Sequence, residues 1–481
     1  MLFNSLPFAA FFVLFFFLYW FVFNRSVKVQ NVLLLAGSYF FYSWWNWHFL
    51  FLLIFSSLAT YLLGIGIYRS TNPKAKRQFL NTGLLLLVGT LLYFKYTNFF
   101  IASFIVVASK LHVHTSLQTL NILLPLGISF YTFRLLSYLF DVKNGKIKPV
   151  TDIIIFFTYV SFFPSMVAGP IDRTKTLVPQ LEQKRMFIRN QATDGLRQIL
   201  WGLFKKVVIA DNCVTISNYI FDSPNLHGGI LIIGTFLFTM QLYADFSGYS
   251  DMAIGFARLL GFNITRNFNY PFFAQNIAEF WRKWHISLTS WLTDYVFTPV
   301  SIRFRYYGNW GLIISILVTF LISGFWHGAH WTFVVWGFLH GCCYIPLILA
   351  GRMNKRKEVA PGKPLPSLTE FKNIAGTFLF VMFSMVLFRS ASVSLAFQYY
   401  CNIFKFSSSS PLFFPLWAYA MNLLFISFMM VLEWTQRDKQ HALENIALTL
   451  PKIYRWGFYS LAVLLILTFS GFEQPFIYLK F

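Results

Sequence analysis

Three histidines in a strongly apolar stretch are the residues of this sequence whose type and spacing best suit chemistry. His327, His330 and His340 lie within residues 323–341. An imidazole titrates near neutral pH and accepts a proton from a hydroxyl group, so a histidine at bilayer depth is by default a functional hypothesis. The alternative is an interhelical hydrogen-bonding role. Because Gly328 permits close approach of a ligand to the backbone, we interpret His327 as catalytic and His330 and His340 as structural.

The spacing of these histidines limits what they can do together. If one helix continues through all three, His340 projects roughly 220° from His327, so one site does not collect them all. His327 with His330, and His112 with His114, have metal-ligand spacing. Neither pair has an adjacent carboxylate or thiolate to complete a tetrahedral set, so we expect no metal. The sequence also lacks a phosphate-binding loop, a nucleophile elbow and a zinc-protease helix.

A second candidate cluster occupies residues 279–292. Its cations Arg282 and Lys283 suit a phosphate-bearing ligand, and they are followed by Trp284 and His285. The tryptophans suit a membrane interface. The cluster therefore has two interpretations, a ligand-binding segment or an ordinary interfacial helix with snorkelling cations.

Two carboxylates, Asp245 and Asp251, stand in apolar sequence, where an unpaired charge is expensive. They suit an ion site of a transporter. Arg134, Arg173 and Arg266 offer structural pairing instead, and a buried ion pair is weak evidence for a further role. We favour the structural interpretation.

Composition sets the class of protein that must position these groups. The chain has 481 residues, of which 57% are hydrophobic, 21% aromatic and only 12% charged, whereas soluble domains carry about 25% charged residues. About 20 apolar residues span a hydrocarbon core, as residues 6–23 and 311–325 illustrate. We predict an all-α polytopic membrane protein with roughly 11 to 13 tilted transmembrane and re-entrant helices, since glycine, proline and polar residues interrupt several runs.

We interpret the net charge of +22 as an indication of how the chain is oriented in the membrane, not of nucleic-acid binding. The basic residues lie in short loops, such as residues 69–77 and 352–357, which the positive-inside rule assigns to the cytoplasm. No nucleic-acid reading motif accompanies them, and we expect no nucleic-acid partner. Without a linker or a shift in composition, residues 1–481 are interpreted as one membrane-embedded domain, with residues 265–341 as its catalytic core.

Taken in order, these segments resemble the membrane-bound O-acyltransferase family, and closely its bacterial branch with the membrane subunit of alginate O-acetylation and the D-alanyl transfer protein of teichoic acids. The resemblance spans nearly the whole chain. The motifs that support it are Leu124–Phe130, Phe163–Pro164 through Gly169–Ile171 with Arg173, Gly202–Lys206, Asp245–Asp251, Phe280–Leu288, Phe325–Ala329 and the terminal residues 476–481.

The resemblance implies a ring of tilted helices around a central site, with a cytoplasmic entrance for an acyl thioester. It makes His327 the presumed general base and His285 the second polar position. Arg282, Lys283 and Trp284 would bind the donor, and the two cations would meet its phosphates. Residues 299–302 depart from the Pro-Leu-Gly-Gly usual in alginate-type relatives, which leaves the acceptor open.

The leading hypothesis is therefore an enzyme of the bacterial cytoplasmic membrane that uses cytoplasmic acetyl-coenzyme A to O-acetylate an exported or cell-surface polysaccharide. No tightly bound cofactor is expected. Besides membrane lipid, the expected partners are the polysaccharide and a periplasmic or surface subunit resembling the SGNH hydrolases. The alternatives are transfer of D-alanyl or another acyl group, a glycan-precursor transporter that uses Asp245, Asp251 or Glu279, and a non-catalytic scaffold.

Overall fold

The structure, a computed structural model, describes residues 1–223, 225–355, 358–405, 413–470, 474 and 476. Across these residues the regular structure is helical, with no β-strand, which confirms the predicted all-α class. The chain forms two compact units. One comprises Met1, residues 6–187 and residues 260–264, and the other comprises residues 2–5, 188–259 and 265–481.

The first unit contains eight α-helices and a π-helical turn at Leu18–Val22. The helices are α1 (Leu6–Phe17), α2 (Val27–Ser43), α3 (His48–Arg69), α4 (Pro73–Lys110), α5 (Ile128–Lys143), α6 (Ile153–Ser161), α7 (Phe163–Met166) and α8 (Thr174–Glu182).

The second unit contains the remaining helices of the described chain. They are α9 (Arg189–Leu203), α10 (Asp211–Asp222), α11 (Gly229–Leu259), α12 (Ile277–Lys283), α13 (Ile286–Leu292), α14 (Thr298–Arg303), α15 (Asn309–His327), α16 (Trp331–Cys342), α17 (Ile345–Leu349), α18 (Leu368–Arg389), α19 (Val393–Ile403), α20 (Leu416–Thr435), α21 (Ile446–Thr449) and α22 (Lys452–Phe469). Pro271–Phe273 and Arg305–Tyr307 are 3-10 turns, and Phe204–Ala210 and Thr293–Phe297 are π-helical.

Eight helical segments in the described part of the chain are long and apolar enough to cross a membrane. They are α3, α4, α11, α15, the stretch Trp331–Leu349, α18, α20 and α22. The chain is therefore a multi-pass membrane protein. The sequence-based number of spans was larger because it included runs such as residues 6–23, which fold as the shorter α1 and a π-helical turn. The ring arrangement and the single domain stay predictions.

Arg134, on α5, stabilises a break between α6 and α7. Its buried guanidinium donates hydrogen bonds to the carbonyl oxygens of Tyr159 and Val160, at 2.8 and 3.0 Å, and to Ser165 Oγ at 2.9 Å. A helix break leaves carbonyl groups without intrahelical partners, which is costly in an apolar environment. The sequence motif around Phe163–Pro164 therefore has a structural role in the first unit.

Glycines set the crossing of α15 and α16, which brings the segment ending at His327 into place. A Cβ atom added to Gly324 would overlap the carbonyl oxygen of Phe333, and one added to Gly337 would overlap that of Phe320. Backbones approach this closely only where small residues meet, as is common between membrane helices. The glycines of this motif are thus explained by packing.

We expect Gly324→Ala to destabilise the protein by about 1 to 3 kcal/mol, because the added methyl group overpacks the contact with backbone atoms that cannot move aside. The measurement is thermal unfolding of the purified protein in detergent. Gly376→Ala is the matched control, since that glycine also lies within a helix but has no atom within 4 Å of the added Cβ. Equal unfolding temperatures for the two variants would contradict the packing role.

Candidate active site

His327 is the last residue of α15 and is almost fully buried. The helix does not continue, because Gly328 is extended and α16 begins only at Trp331. The His327 ring lies in an aromatic surround, with its centroid 4.9 Å from Trp326, 5.2 Å from Trp336 and 5.3 Å from Phe388.

His285 lies in a left-handed turn between α12 and α13, with φ 43° and ψ 53°, and its side chain has no exposed surface. Its ring is 4.7 Å from Phe246 and 5.8 Å from Trp326, the residue adjacent to His327. Burial lowers the pKa of His285 to about 3, so the imidazole stays neutral at physiological pH. The structure therefore brings the rings of both predicted histidines within 6 Å of the ring of Trp326.

Asn267 holds the backbone on which His285 sits. Its carbonyl oxygen accepts from Ile286 N at 2.8 Å, its Oδ1 accepts from Ser287 Oγ at 2.6 Å, and its Nδ2 donates to Ser250 Oγ on α11 at 3.1 Å. A left-handed conformation costs a non-glycine residue about 1–3 kcal/mol unless its surroundings hold it. The sequence did not single out Asn267, because its partners lie 17 to 20 residues away along the chain.

The segment 279–292 is not an interfacial helix. It folds as two short helices, and its tryptophans Trp281, Trp284 and Trp291 are buried rather than presented to an interface. Of the two interpretations of this segment, the interfacial helix does not fit, because the left-handed turn at His285 interrupts the helix. Trp284 packs its ring against Phe268 and Phe280.

A cavity of about 960 Å³ lies beside this turn, within the usual range for ligand sites. Of the residues predicted to bind the donor, Arg282 and Lys283 line it and Trp284 does not. Sequence reasoning missed Arg266 as a cavity residue and Arg437 altogether. The other lining residues are Asn269, Tyr270, Phe273, Glu279, Glu358, Val359, Ala360, Pro361, Gly362, Thr435 and Asp438.

Three cations that line the cavity are bonded to nearby backbone carbonyl groups or to a carboxylate. Arg282 donates to the carbonyl oxygens of Met353 and Lys355, at 3.1 and 3.3 Å, and Lys283 Nζ lies 2.7 Å from Glu279 Oε1. Arg437 donates to the carbonyl oxygens of Val359, Ala360 and Lys363. Four guanidinium or ammonium groups thus converge on one space, an arrangement that suits an anionic, phosphate-bearing ligand.

The cavity and the histidines belong to one region. Asn269 N donates to Lys283 O at 2.9 Å, and His285 follows Lys283 by two residues, a backbone distance of at most about 7.6 Å. Only four non-glycine residues in the described ranges have positive φ, and three of them, Tyr270, His285 and Ala360, line the cavity or lie beside it. Strained backbone of this kind concentrates at functional sites.

His340 and His330 lie apart from this chemistry. His340 Nδ1 accepts from Trp281 Nε1 at 3.2 Å, and its Nε2 is 3.0 Å from Ser384 Oγ. Both ring nitrogens are therefore engaged between helices, in agreement with the structural interpretation. His330 is exposed at the start of α16.

Among the ion pairs of the described residues, the carboxylates of α11 pair with lysines rather than with the arginines that the sequence suggested. Lys206 Nζ is 2.9 Å from Asp245, and Lys205 Nζ is 2.6 Å from Asp251. Arg134 instead lies 4.0 Å from Asp172, and Arg266 donates to the carbonyl oxygen of Lys439. The prediction of arginine partners was wrong because sequence separation did not reveal that the π-helical segment Phe204–Ala210 packs along α11.

Comparison with known proteins identifies the family of the chain. The profile of the MBOAT, membrane-bound O-acyltransferase family matches residues 39–361, which include both His285 and His327. The chain is 36% identical to a probable alginate O-acetylase of Azotobacter vinelandii over 79% of this chain and 73% of the relative. It is 35% identical to a peptidoglycan O-acetyltransferase of Helicobacter pylori, over 71% and 69%.

A third relative is a teichoic acid D-alanyltransferase of Streptococcus thermophilus, 30% identical over 60% of this chain and 75% of that protein. A polytopic helical membrane protein with this buried histidine site and these relatives is a membrane acyltransferase. The chain belongs to the membrane-bound O-acyltransferase family and is an O-acyltransferase. Of the terminal motif that contributed to the resemblance, residues 477–481 lie outside the described residues.

Proposed function

We propose that the protein transfers acetyl groups from cytoplasmic acetyl-coenzyme A toward an exported or cell-surface polysaccharide, as a protein of the bacterial cytoplasmic membrane. The observation that supports this most directly is the cation-lined cavity whose wall residue Lys283 is two residues from His285. Coenzyme A carries phosphates at one end and the reactive thioester at the other. A donor with its phosphates near Arg282 and Lys283 would direct its thioester toward the buried histidines.

The side of the membrane from which the donor enters is inferred from the positive charge of a loop. Arg282 is bonded to the backbone of Met353 and Lys355, which belong to the basic loop that the positive-inside rule assigns to the cytoplasm. Coenzyme A thioesters are cytoplasmic metabolites, so the cavity opens where the donor is available. The contact of Arg282 with this basic loop supports donor entry from the cytoplasm.

The reaction is acyl transfer. The neutral imidazole of His327 accepts the proton of the attacking hydroxyl, whose oxygen forms a bond to the thioester carbonyl carbon. An N–H group of His285 donates a hydrogen bond to the oxyanion that develops on the carbonyl oxygen. When the carbon–sulfur bond breaks, the leaving thiolate takes the proton from His327. The donor thioester is thereby converted to a free thiol and the acceptor hydroxyl to an ester. The site returns to its initial protonation state.

Acetyl is favoured over D-alanyl because the relatives named as O-acetylases or O-acetyltransferases are 33–36% identical, against 28–30% for the D-alanyltransferases. Transfer of D-alanyl or another acyl group is the alternative. The transporter alternative is weaker, because Asp245, Asp251 and Glu279 each lie within 3.0 Å of a lysine Nζ. We also propose a periplasmic or surface SGNH-hydrolase-like partner that completes transfer to the glycan.

The proposal predicts that purified protein in lipid releases free thiol from acetyl-coenzyme A when an acceptor is present. The double variant Arg282→Ala, Lys283→Ala should raise the KM for acetyl-coenzyme A by about tenfold or more, because each charge-assisted contact with phosphate contributes about 1.5–3 kcal/mol. The measurement is initial rate against donor concentration, with alginate oligosaccharides or peptidoglycan fragments and the partner subunit supplied.

Lys372→Ala is the matched control for the double variant, since Lys372 is an exposed cation of α18 that does not line the cavity. Its KM should equal that of the wild type. Turnover of a D-alanyl thioester without turnover of acetyl-coenzyme A would favour the alternative donor. Absence of thiol release from either donor by folded wild-type protein would overturn the proposed function.

A further inference from the structure

Tyr270 is a buried residue whose hydroxyl group the fold leaves unused. Its side chain is 7% exposed and lines the large cavity, and its hydroxyl has no hydrogen-bond partner among the described residues. A buried hydroxyl without a partner is expensive, and native structures satisfy nearly all such groups. The missing partner is therefore expected on a molecule that occupies the cavity.

The backbone of Tyr270 gives a second, independent indication. Its φ and ψ angles are 50° and 60°, a left-handed conformation that is unusual for an aromatic residue. The residue immediately precedes the 3-10 turn Pro271–Phe273. Strained residues of this kind persist at ligand-binding sites, where the strain places a side chain that a relaxed backbone would direct elsewhere.

Tyr270 lies where the large cavity adjoins a second cavity of about 20 Å³, because Tyr270 and Arg266 line both. The neighbouring residue Asn269 is bonded through its backbone to Lys283, just before the turn of His285. Tyr270 is therefore one residue along the chain from a backbone contact with Lys283, which itself lines the cavity. Burial raises the pKa of Tyr270 well above its usual value, so the group remains a neutral hydrogen-bond donor.

We propose that the Tyr270 hydroxyl donates a hydrogen bond to a carbonyl oxygen of the pantetheine arm of the acyl donor. This inference rests on the proposed use of the cavity for a coenzyme A thioester. Arg282 and Lys283 hold the phosphates, and Tyr270 holds the arm that carries the acyl group toward His285. Tyr270 is therefore a substrate-binding residue that sequence reasoning did not single out.

The test uses Tyr270→Phe, which removes only the hydroxyl oxygen. The ratio kcat/KM for acetyl-coenzyme A should fall about tenfold, mainly through KM, and kcat/KM for acetyl-pantetheine, which lacks the nucleotide, should fall by the same factor. The double variant Arg282→Ala, Lys283→Ala should lower kcat/KM for acetyl-coenzyme A much more than kcat/KM for acetyl-pantetheine, which has no phosphates. Tyr400→Phe is the control, since that hydroxyl donates to Phe383 O away from the cavity.

Unchanged kinetics in a folded Tyr270→Phe variant would overturn the inference while leaving the proposed function intact. A loss confined to acetyl-coenzyme A would also overturn it, because the contact would then belong to the nucleotide. Wild-type protein that neither binds nor turns over acetyl-coenzyme A would refute the proposed function itself. A lowered unfolding temperature with normal kcat/KM would assign Tyr270 a purely structural role.

Discussion

The His327→Ala variant should lose about 10²- to 10⁴-fold in kcat, the range that a positioned general base contributes. The imidazole is buried among Trp326, Trp336 and Phe388, at the point where α15 ends. No water-exposed base can substitute in such surroundings. The measurement is thiol release from acetyl-coenzyme A at saturating donor, together with label incorporated into the glycan.

His330→Ala is the matched control for this variant. His330 is a histidine three residues further along the chain, but it is exposed, so its loss should leave kcat within about twofold of the wild type. Retained folding is checked by gel filtration and thermal unfolding. Wild-type activity in folded His327→Ala would refute the assignment of His327 as the general base.

The second large effect is expected at His285, where the side chain and the backbone conformation can be tested separately. His285→Ala should lower kcat by about 10²- to 10³-fold, the cost of removing one donor to an oxyanion. It should also lower stability by about 1 kcal/mol, because alanine is strained in the left-handed region. His285→Asn should be much less impaired, because asparagine tolerates that region and keeps an N–H donor.

The decisive comparison is therefore the ratio of the two kcat values, with unfolding temperatures measured in parallel. A higher kcat and a higher unfolding temperature for His285→Asn than for His285→Ala would agree with a hydrogen-bond donor in a left-handed turn. Equal loss of kcat in the two variants would mean that the imidazole does more than donate one hydrogen bond. Full activity in both would remove His285 from the chemistry.

Much of the fold class and of the candidate site could be predicted from residue types alone. Composition identified a membrane protein because so few charged residues cannot cover a water-facing surface. The apolar runs predicted helices, since the bilayer requires every backbone group to be satisfied within its own segment. Motif order identified the family, the chemistry of imidazole and cations singled out His327, Arg282 and Lys283, and the resemblance added His285. These expectations depend on local sequence and on the solvent.

What the sequence did not reveal depends on contacts between distant segments. Arg437 follows Lys283 by more than 150 positions, so its place on the same cavity wall has no local signature. The lysine partners of Asp245 and Asp251 were missed for the same reason, since helix packing decides which cation is near. The contacts of Trp284 with Phe268 and Phe280 have no local signature either, and its role as a ligand residue stays a prediction.

The sequence by itself determined the class of protein, its family and the residue types available for acyl transfer, because these follow from composition and motif order. The tertiary structure alone decided the left-handed turns at Tyr270 and His285, the cavity beside them and the pairing of the buried charges. A strained turn is unfavourable locally and persists only when distant groups hold it, as Asn267 does for His285.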